Sequence, residues 1–147
     1  MSDQITPSGG IDSTQTFEAY SEKPEGVLNP LTGLSAEETE VLGGLAAEDA
    51  LLIVRQGANL GSRFLLDADE TLAGRSPKAD IFLDDVTVSR KHAIFKRELA
   101  EFVVRDAGSL NGTYVNRNRV DSAVLRHGDE VQVGKFRMIY YRRLDQQ

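Results

Sequence analysis

The alternation of apolar and polar positions changes character near residue 50. Before it, residues 1–49 hold few aliphatics ahead of Val27 and no sustained period. From Ala50 onward, short apolar runs follow one another: LLIV (51–54), RFLL (63–66), TLAG (71–74), DIFL (80–83), HAIF (92–95), EFVVRD (101–106), TYV (113–115), EVQV (130–133) and FRMIYY (136–141). Gly, Asp, Asn or Pro punctuates the gaps, and no stretch of ten residues keeps a helical period. Many short strands with frequent turn signals predict an all-β sandwich. The expected organisation is a flexible acidic tail over 1–49 and one β-domain over 50–143.

The tail holds three of the four prolines. It has too little apolar surface to offset the entropy of ordering it. One short helix is expected inside it. Ser35 and Glu38 have the spacing of a capping box, and Gly43-Gly44 would end the helix.

Charge sharpens the division. Residues 1–48 carry nine acids and one base, a balance of −8, whereas residues 49–147 carry fourteen acids and sixteen bases, a balance of +2. An acidic segment joined to a slightly basic body suggests parts that attract one another. A domain at +2 with no basic stripe argues against nucleic acid as a partner. No run of 18 apolar residues is present, so no membrane span is expected, and MSDQITPSGG has no signal-peptide pattern. The absence of cysteine fits a reducing compartment, and the protein is read as cytoplasmic. His92 and His127 alone cannot make a transition-metal site, and no cofactor is implied.

Strands form the scaffold, so chemistry is expected in the loops. Three loops stand out: Gly74-Arg75-Ser76, Ser89-Arg90-Lys91-His92, and Ser109-Leu110-Asn111-Gly112-Thr113. Each alone reads as an ordinary turn or solvated strand end. Asn111-Gly112 in particular is a two-residue hairpin signal, because both residues tolerate positive φ. His92 opens an apolar strand, and its expected task is to tie loop backbone in place. Ser89 near His92 raises the thought of a nucleophile and its base. Yet the chain has no GxSxG elbow, and no carboxylate is committed to His92 in the sequence. A GxxxxGK[ST] phosphate loop is also absent. An enzyme is therefore not expected.

Taken as an ordered set on an all-β chain, Gly-Arg, then Ser-Arg-x-His, then Asn-Gly-Thr resemble the forkhead-associated (FHA) domain over residues 50–143. The resemblance implies an eleven-stranded β-sandwich that presents these loops to a phosphothreonine peptide. It assigns phosphothreonine binding to Arg75, Ser89, Arg90, Lys91, Ser109 and Asn111, and loop shaping to Gly74, His92, Gly112 and Thr113. The chemistry suits the assignment. A phosphothreonine brings about −1.5 to −2 charges and three acceptor oxygens. Arginine grips such a group with a planar fork that lysine lacks.

The longer stretches AGRSPKADIFLDDVTVSRKHAIF, GSLNGTYVN and GDEVQVGKFRM are similar to the small actinobacterial FHA regulators of the GarA/OdhI group. That resemblance implies a non-enzymatic monomer that regulates metabolic enzymes such as 2-oxoglutarate dehydrogenase or glutamate dehydrogenase. It also implies a tail phosphorylated by a Ser/Thr kinase, which folds back on its own FHA site and blocks target binding. In IDSTQTFEAY (11–20), Thr14 is the expected acceptor, with Thr16 or Ser13 second. The family's tandem threonine is Ser13-Thr14 here, so a scheme with one kinase per threonine is not carried over. About 35 residues of coil would span roughly 30–35 Å, against a radius of gyration near 13 Å for a domain of about 100 residues. Such a tether gives an effective concentration near the millimolar range. A plain phosphothreonine adaptor without self-inhibition, or an interaction domain that uses no phosphate, stays open at this point.

Overall fold

The computed structural model describes residues 33–143. The chain divides into two units between Thr39 and Glu40. Helix α1 (Ala36–Gly43) runs across that division. Ser35 and Glu38 form the expected reciprocal cap, Glu38 N–H donating to Ser35 Oγ and Ser35 N–H to Glu38 Oε1, each at 3.1 Å. The helix closes on a tightened turn from Gly44 N–H to the Val41 carbonyl.

Eleven strands follow: β1 (Ala50–Gln56), β2 (Arg63–Leu66), β3 (Glu70–Gly74), β4 (Ile81–Phe82), β5 (Ala93–Glu98), β6 (Glu101–Asp106), β7 (Thr113–Val115), β8 (Asn118–Val120), β9 (Ser122–Val124), β10 (Glu130–Val133) and β11 (Phe136–Tyr141). They form a six-stranded sheet in the order β2-β1-β11-β10-β7-β8 and a five-stranded sheet in the order β4-β3-β5-β6-β9. All pairings are antiparallel except β3 with β4. Inward side chains of both sheets make one core, among them Leu52, Val54, Phe95, Phe102, Phe136, Met138 and Tyr140. Phe102 of the smaller sheet meets Tyr140 of the larger one edge to face, with ring centroids 6.4 Å apart. Full burial of each large apolar side chain is worth about 1.5–3 kcal/mol. The fold class is therefore the one expected, an FHA-type eleven-stranded β-sandwich.

The unbroken LLIV run has a physical counterpart. Leu51 and Ile53 pair with Tyr141 and Ile139 on the face of β1 opposite the core, yet Leu51, Ile53 and Tyr141 are buried too. A strand covered on both faces loses its alternation. Leu42 and Leu45 are likewise buried outside the core cluster, in the stretch expected to be tail. Arg142 donates to the Ala47 carbonyl at 2.7 Å, and Arg97 donates to the Glu48 carbonyl and pairs with Asp49 at 2.8 Å. Residues 47–49, ahead of β1, are thus bonded to arginines that follow β11 and lie in β5.

Two strands had no sequence signal, β8 and β9. β8 is reached through a two-residue turn at Asn116-Arg117, both in the left-handed region with φ of 51° and 73°. Asn116 is held by three bonds to the β10 region, two of them to the Glu130 backbone at 2.8 and 3.0 Å, while Arg117 pairs with Glu130 at 2.6 Å. The expected hairpin at Asn111-Gly112 does not form. Only Gly112 has positive φ, at 88°, and the flanking strands β6 and β7 belong to different sheets. That dipeptide sits in a crossing from one sheet to the other. No helix among the described residues is long and apolar enough to cross a membrane.

Candidate functional site

Three loops meet at one end of the strands: residues 75–80 after β3, residues 83–92 before β5, and residues 107–112 between β6 and β7. Backbone bonds join the first two. Arg75 N–H donates to the Ser89 carbonyl at 2.9 Å, Ser76 N–H to that of Arg90 at 3.2 Å, and His92 N–H to that of Ala73 at 3.0 Å. Gly74 makes this possible. A Cβ there would collide with the carbonyl of Arg90 and lie 3.1 Å from that of Ser89. Its φ is ordinary, so the requirement is space rather than backbone freedom.

His92 fastens the third loop. The ring is fully buried. Nδ1 accepts the Ser89 N–H at 3.0 Å, and Nε2 donates to the Gly112 carbonyl at 2.8 Å. One neutral tautomer satisfies both bonds. Two further bonds cross the same seam. Leu110 N–H donates to Ser89 Oγ at 3.0 Å, and Asn111 Nδ2 donates to the Thr87 carbonyl at 2.9 Å.

The third loop takes its shape from Asp106, a residue the sequence reading passed over. Its carboxylate accepts Gly108 N–H at 3.0 Å, Ser109 N–H at 3.1 Å, the Ser109 hydroxyl, and the Thr113 hydroxyl at 2.7 Å. Burial raises the pKa of this carboxyl, but the bonds from Ser109, Thr113 and Gly108 outweigh burial and hold it below its ordinary value. Ser109 Oγ also accepts the Gly112 N–H at 2.9 Å, so both its donor and its acceptor are used inside the loop. Thr113 is buried and braced in the same way. Asp85 does similar work in the second loop. The Thr87 hydroxyl and N–H, with Lys135 nearby, lower its pKa against the opposing effect of burial. Both carboxylates begin Asx-type turns, Asp-x-Thr and Asp-x-Gly. That spacing was the available signal.

What faces outward is cationic. The Arg75 Nε donates to the Val88 carbonyl at 3.0 Å, which fixes the plane of the guanidinium and leaves both terminal nitrogens without a partner among the described residues. The Ser89 hydroxyl accepts one bond and keeps its proton to donate. Arg90 and Lys91 are exposed and have no side-chain partner among the described residues. Asn111 keeps its carbonyl oxygen and one N–H uncommitted. A fixed arginine fork, a hydroxyl donor and two uncompensated cations around a short seam can hold a dianionic group by charge-assisted bonds. Ser13, Thr14 and Thr16 lie outside the described residues. No group of three or more His, Asp or Glu side chains among the described residues could hold a metal ion.

Comparisons with known proteins bear on the family. The FHA domain profile matches residues 71–134, a span that contains all three loops. The chain is 66% identical over 142 residues to the glycogen accumulation regulator GarA of Mycobacterium tuberculosis, covering 94% of this chain and 84% of that protein. It is 48% identical over 143 residues to the oxoglutarate dehydrogenase inhibitor of Corynebacterium jeikeium, covering 95% of each. Among solved structures, an FHA domain studied for phosphothreonine-dependent interactions superposes with a TM-score of 0.59 at 28% identity, over 63% of this chain and 95% of its own. With the fold, the loop geometry and these relatives in agreement, the chain belongs to the FHA-domain family, in the group of actinobacterial regulators that includes GarA and the oxoglutarate dehydrogenase inhibitor.

Proposed function

We propose that the three loops receive a phosphothreonine and that the chain's own N-terminal segment supplies it once a Ser/Thr kinase has phosphorylated Thr14. In this reading Arg75 grips two phosphate oxygens, Ser89 donates to the third, and Arg90 with Lys91 adds positive potential. Asn111 holds the peptide backbone. Gly74, His92, Gly112 and Thr113 shape the loops, and Ser109 belongs with them by its bonds. The observation that carries the reading is Arg75: its Nε is spent on the Val88 carbonyl and its two terminal nitrogens are not. An arginine held this way has already lost most of its rotamer freedom before a ligand arrives.

The target is an enzyme of 2-oxoglutarate or glutamate metabolism. Support comes from the relative named an oxoglutarate dehydrogenase inhibitor. When free, the domain binds and inhibits this enzyme, and when occupied by the phosphorylated segment it cannot. The −8 balance of residues 1–48 against +2 for the remainder favours closure within one molecule. The test measures the radius by small-angle scattering and the affinity for 2-oxoglutarate dehydrogenase, before and after kinase treatment. Expected are a smaller radius at every protein concentration and loss of enzyme binding, with Thr14→Ala retaining both original properties. A phosphorylated chain that keeps its radius and its enzyme affinity would overturn self-inhibition and leave a plain phosphothreonine adaptor.

A further inference from the structure

The β7–β8 hairpin is more firmly built than its length requires. Its turn keeps two non-glycine residues in the left-handed region, and Asn116 and Arg117 pin that turn to Asp129 and Glu130. β8 itself is three residues at the sheet edge and contributes no residue to the core cluster beyond the partly buried Val120. What the hairpin does present is Arg119. Its side chain lies flat on Gly112, so that a Cβ on Gly112 would sit 2.7 Å from Arg119 Nε and 3.0 Å from Cζ. Gly112 is therefore needed twice, for its φ and for the space that the guanidinium occupies.

Arg119 thus rests on Gly112, which follows Asn111 in the chain and whose carbonyl receives the His92 bond. It is exposed and has neither a hydrogen bond nor an ion pair among the described residues. An arginine placed to cover a glycine alone needs no free fork. One placed beside a peptide-binding seam offers that fork to a carboxylate.

We propose that Arg119 is a specificity-determining residue that favours phosphothreonine ligands carrying an acidic side chain near the phosphorylated residue. This rests on the phosphothreonine reading above and names the class of peptide selected. The chain's own acceptor segment has that character, with Asp12 and Glu18 flanking Thr14.

The test uses the full chain carrying Thr14→Ala, titrated by fluorescence anisotropy with labelled peptides of residues 10–20 phosphorylated at Thr14. Asp12 and Glu18 are kept, replaced singly by Ala, or replaced singly by Lys. Arg119 should favour an acidic over a lysine-bearing peptide by roughly two- to fivefold at low salt, the range of an exposed ion pair. Arg119→Gln should erase that preference while keeping binding to the alanine peptides, and Arg119→Glu should invert it. A preference that survives in Arg119→Gln, or an equal loss for every peptide, would overturn the proposal, the second outcome marking Arg119 as a structural cover for Gly112. Failure of the Arg119-bearing chain to bind any of the phosphopeptides would overturn the phosphothreonine reading itself.

Discussion

At the scale of single residues, Arg75 is where the proposed recognition role can be tested apart from stability. Its side chain is exposed, and its one side-chain bond goes to a loop carbonyl. Arg75→Ala should therefore leave thermal unfolding within about 0.5 kcal/mol of the unaltered chain. Phosphothreonine-peptide affinity should fall by roughly 2–5 kcal/mol, as for a truncated partner in a charged pair. Arg75→Lys should recover little of it, because a point charge cannot reproduce the fork. Calorimetry on the same preparations gives both numbers. Unchanged affinity in Arg75→Ala would remove this residue from the site. Arg75, Ser89 and His92 were singled out in the sequence because their order along an all-β chain is informative even though no single motif is. Asp106 and Thr87 escaped notice because their work is done by hydrogen bonds to loop backbone. A lone Asp or Thr in a turn looks the same whether or not it organises a site.

At the scale of elements, the 107–112 loop and the β7–β8 turn make distinct predictions. Asp106→Asn removes the charge that four donors share. Peptide affinity should drop because Leu110 and Asn111 lose their support, and stability should fall by about 1–2 kcal/mol, the worth of bonds to a charged group with partial compensation. The pH dependence has a definite sign. Asp106 titrates below its ordinary value in the folded protein. Its contribution is thus present above about pH 4 and is lost as pH falls through the folded pKa. Urea unfolding at pH 7 and pH 3 should show the gap between Asp106→Asn and the unaltered chain narrowing at the lower pH. For the turn, Asn116→Val places a β-branched side chain at positive φ and discards the side-chain bonds to Asp129 and Glu130. A loss of about 2 kcal/mol is expected in the same assay. Strands with apolar alternation were legible from sequence. β8, as Asn-Arg-Val, and β9, as Ser-Ala-Val, were not, since edge strands this short owe their pairing to neighbours rather than to propensity.

At the scale of the whole molecule, the start of the stable body matters. A chain beginning at Ala50 keeps the core but loses Asp49 and the carbonyls of Ala47 and Glu48, the partners of Arg97 and Arg142. The Nε atoms of both arginines are already buried without a partner among the described residues. Stripping more of their bonds should cost roughly 1–3 kcal/mol. Residues 50–147 should therefore fold but unfold at lower denaturant than residues 40–147. Equal midpoints would show that the segment before β1 adds nothing. The expected tail boundary fell at residue 50 because residues 40–49 lack a strand period, and single buried leucines such as Leu42 and Leu45 leave no pattern to read.

Gly74 gives the fold a memory that Arg75 lacks. Exchanging Arg75 gives up one side-chain bond, to the Val88 carbonyl. Gly74 cannot be exchanged, because the Arg90 carbonyl occupies the space a side chain would need. A lineage that abandoned phosphate recognition would be free to drift at the arginine within a few substitutions. It would remain locked at the glycine for as long as it kept the sandwich. Among diverged descendants, Gly74 would then persist where Arg75 does not.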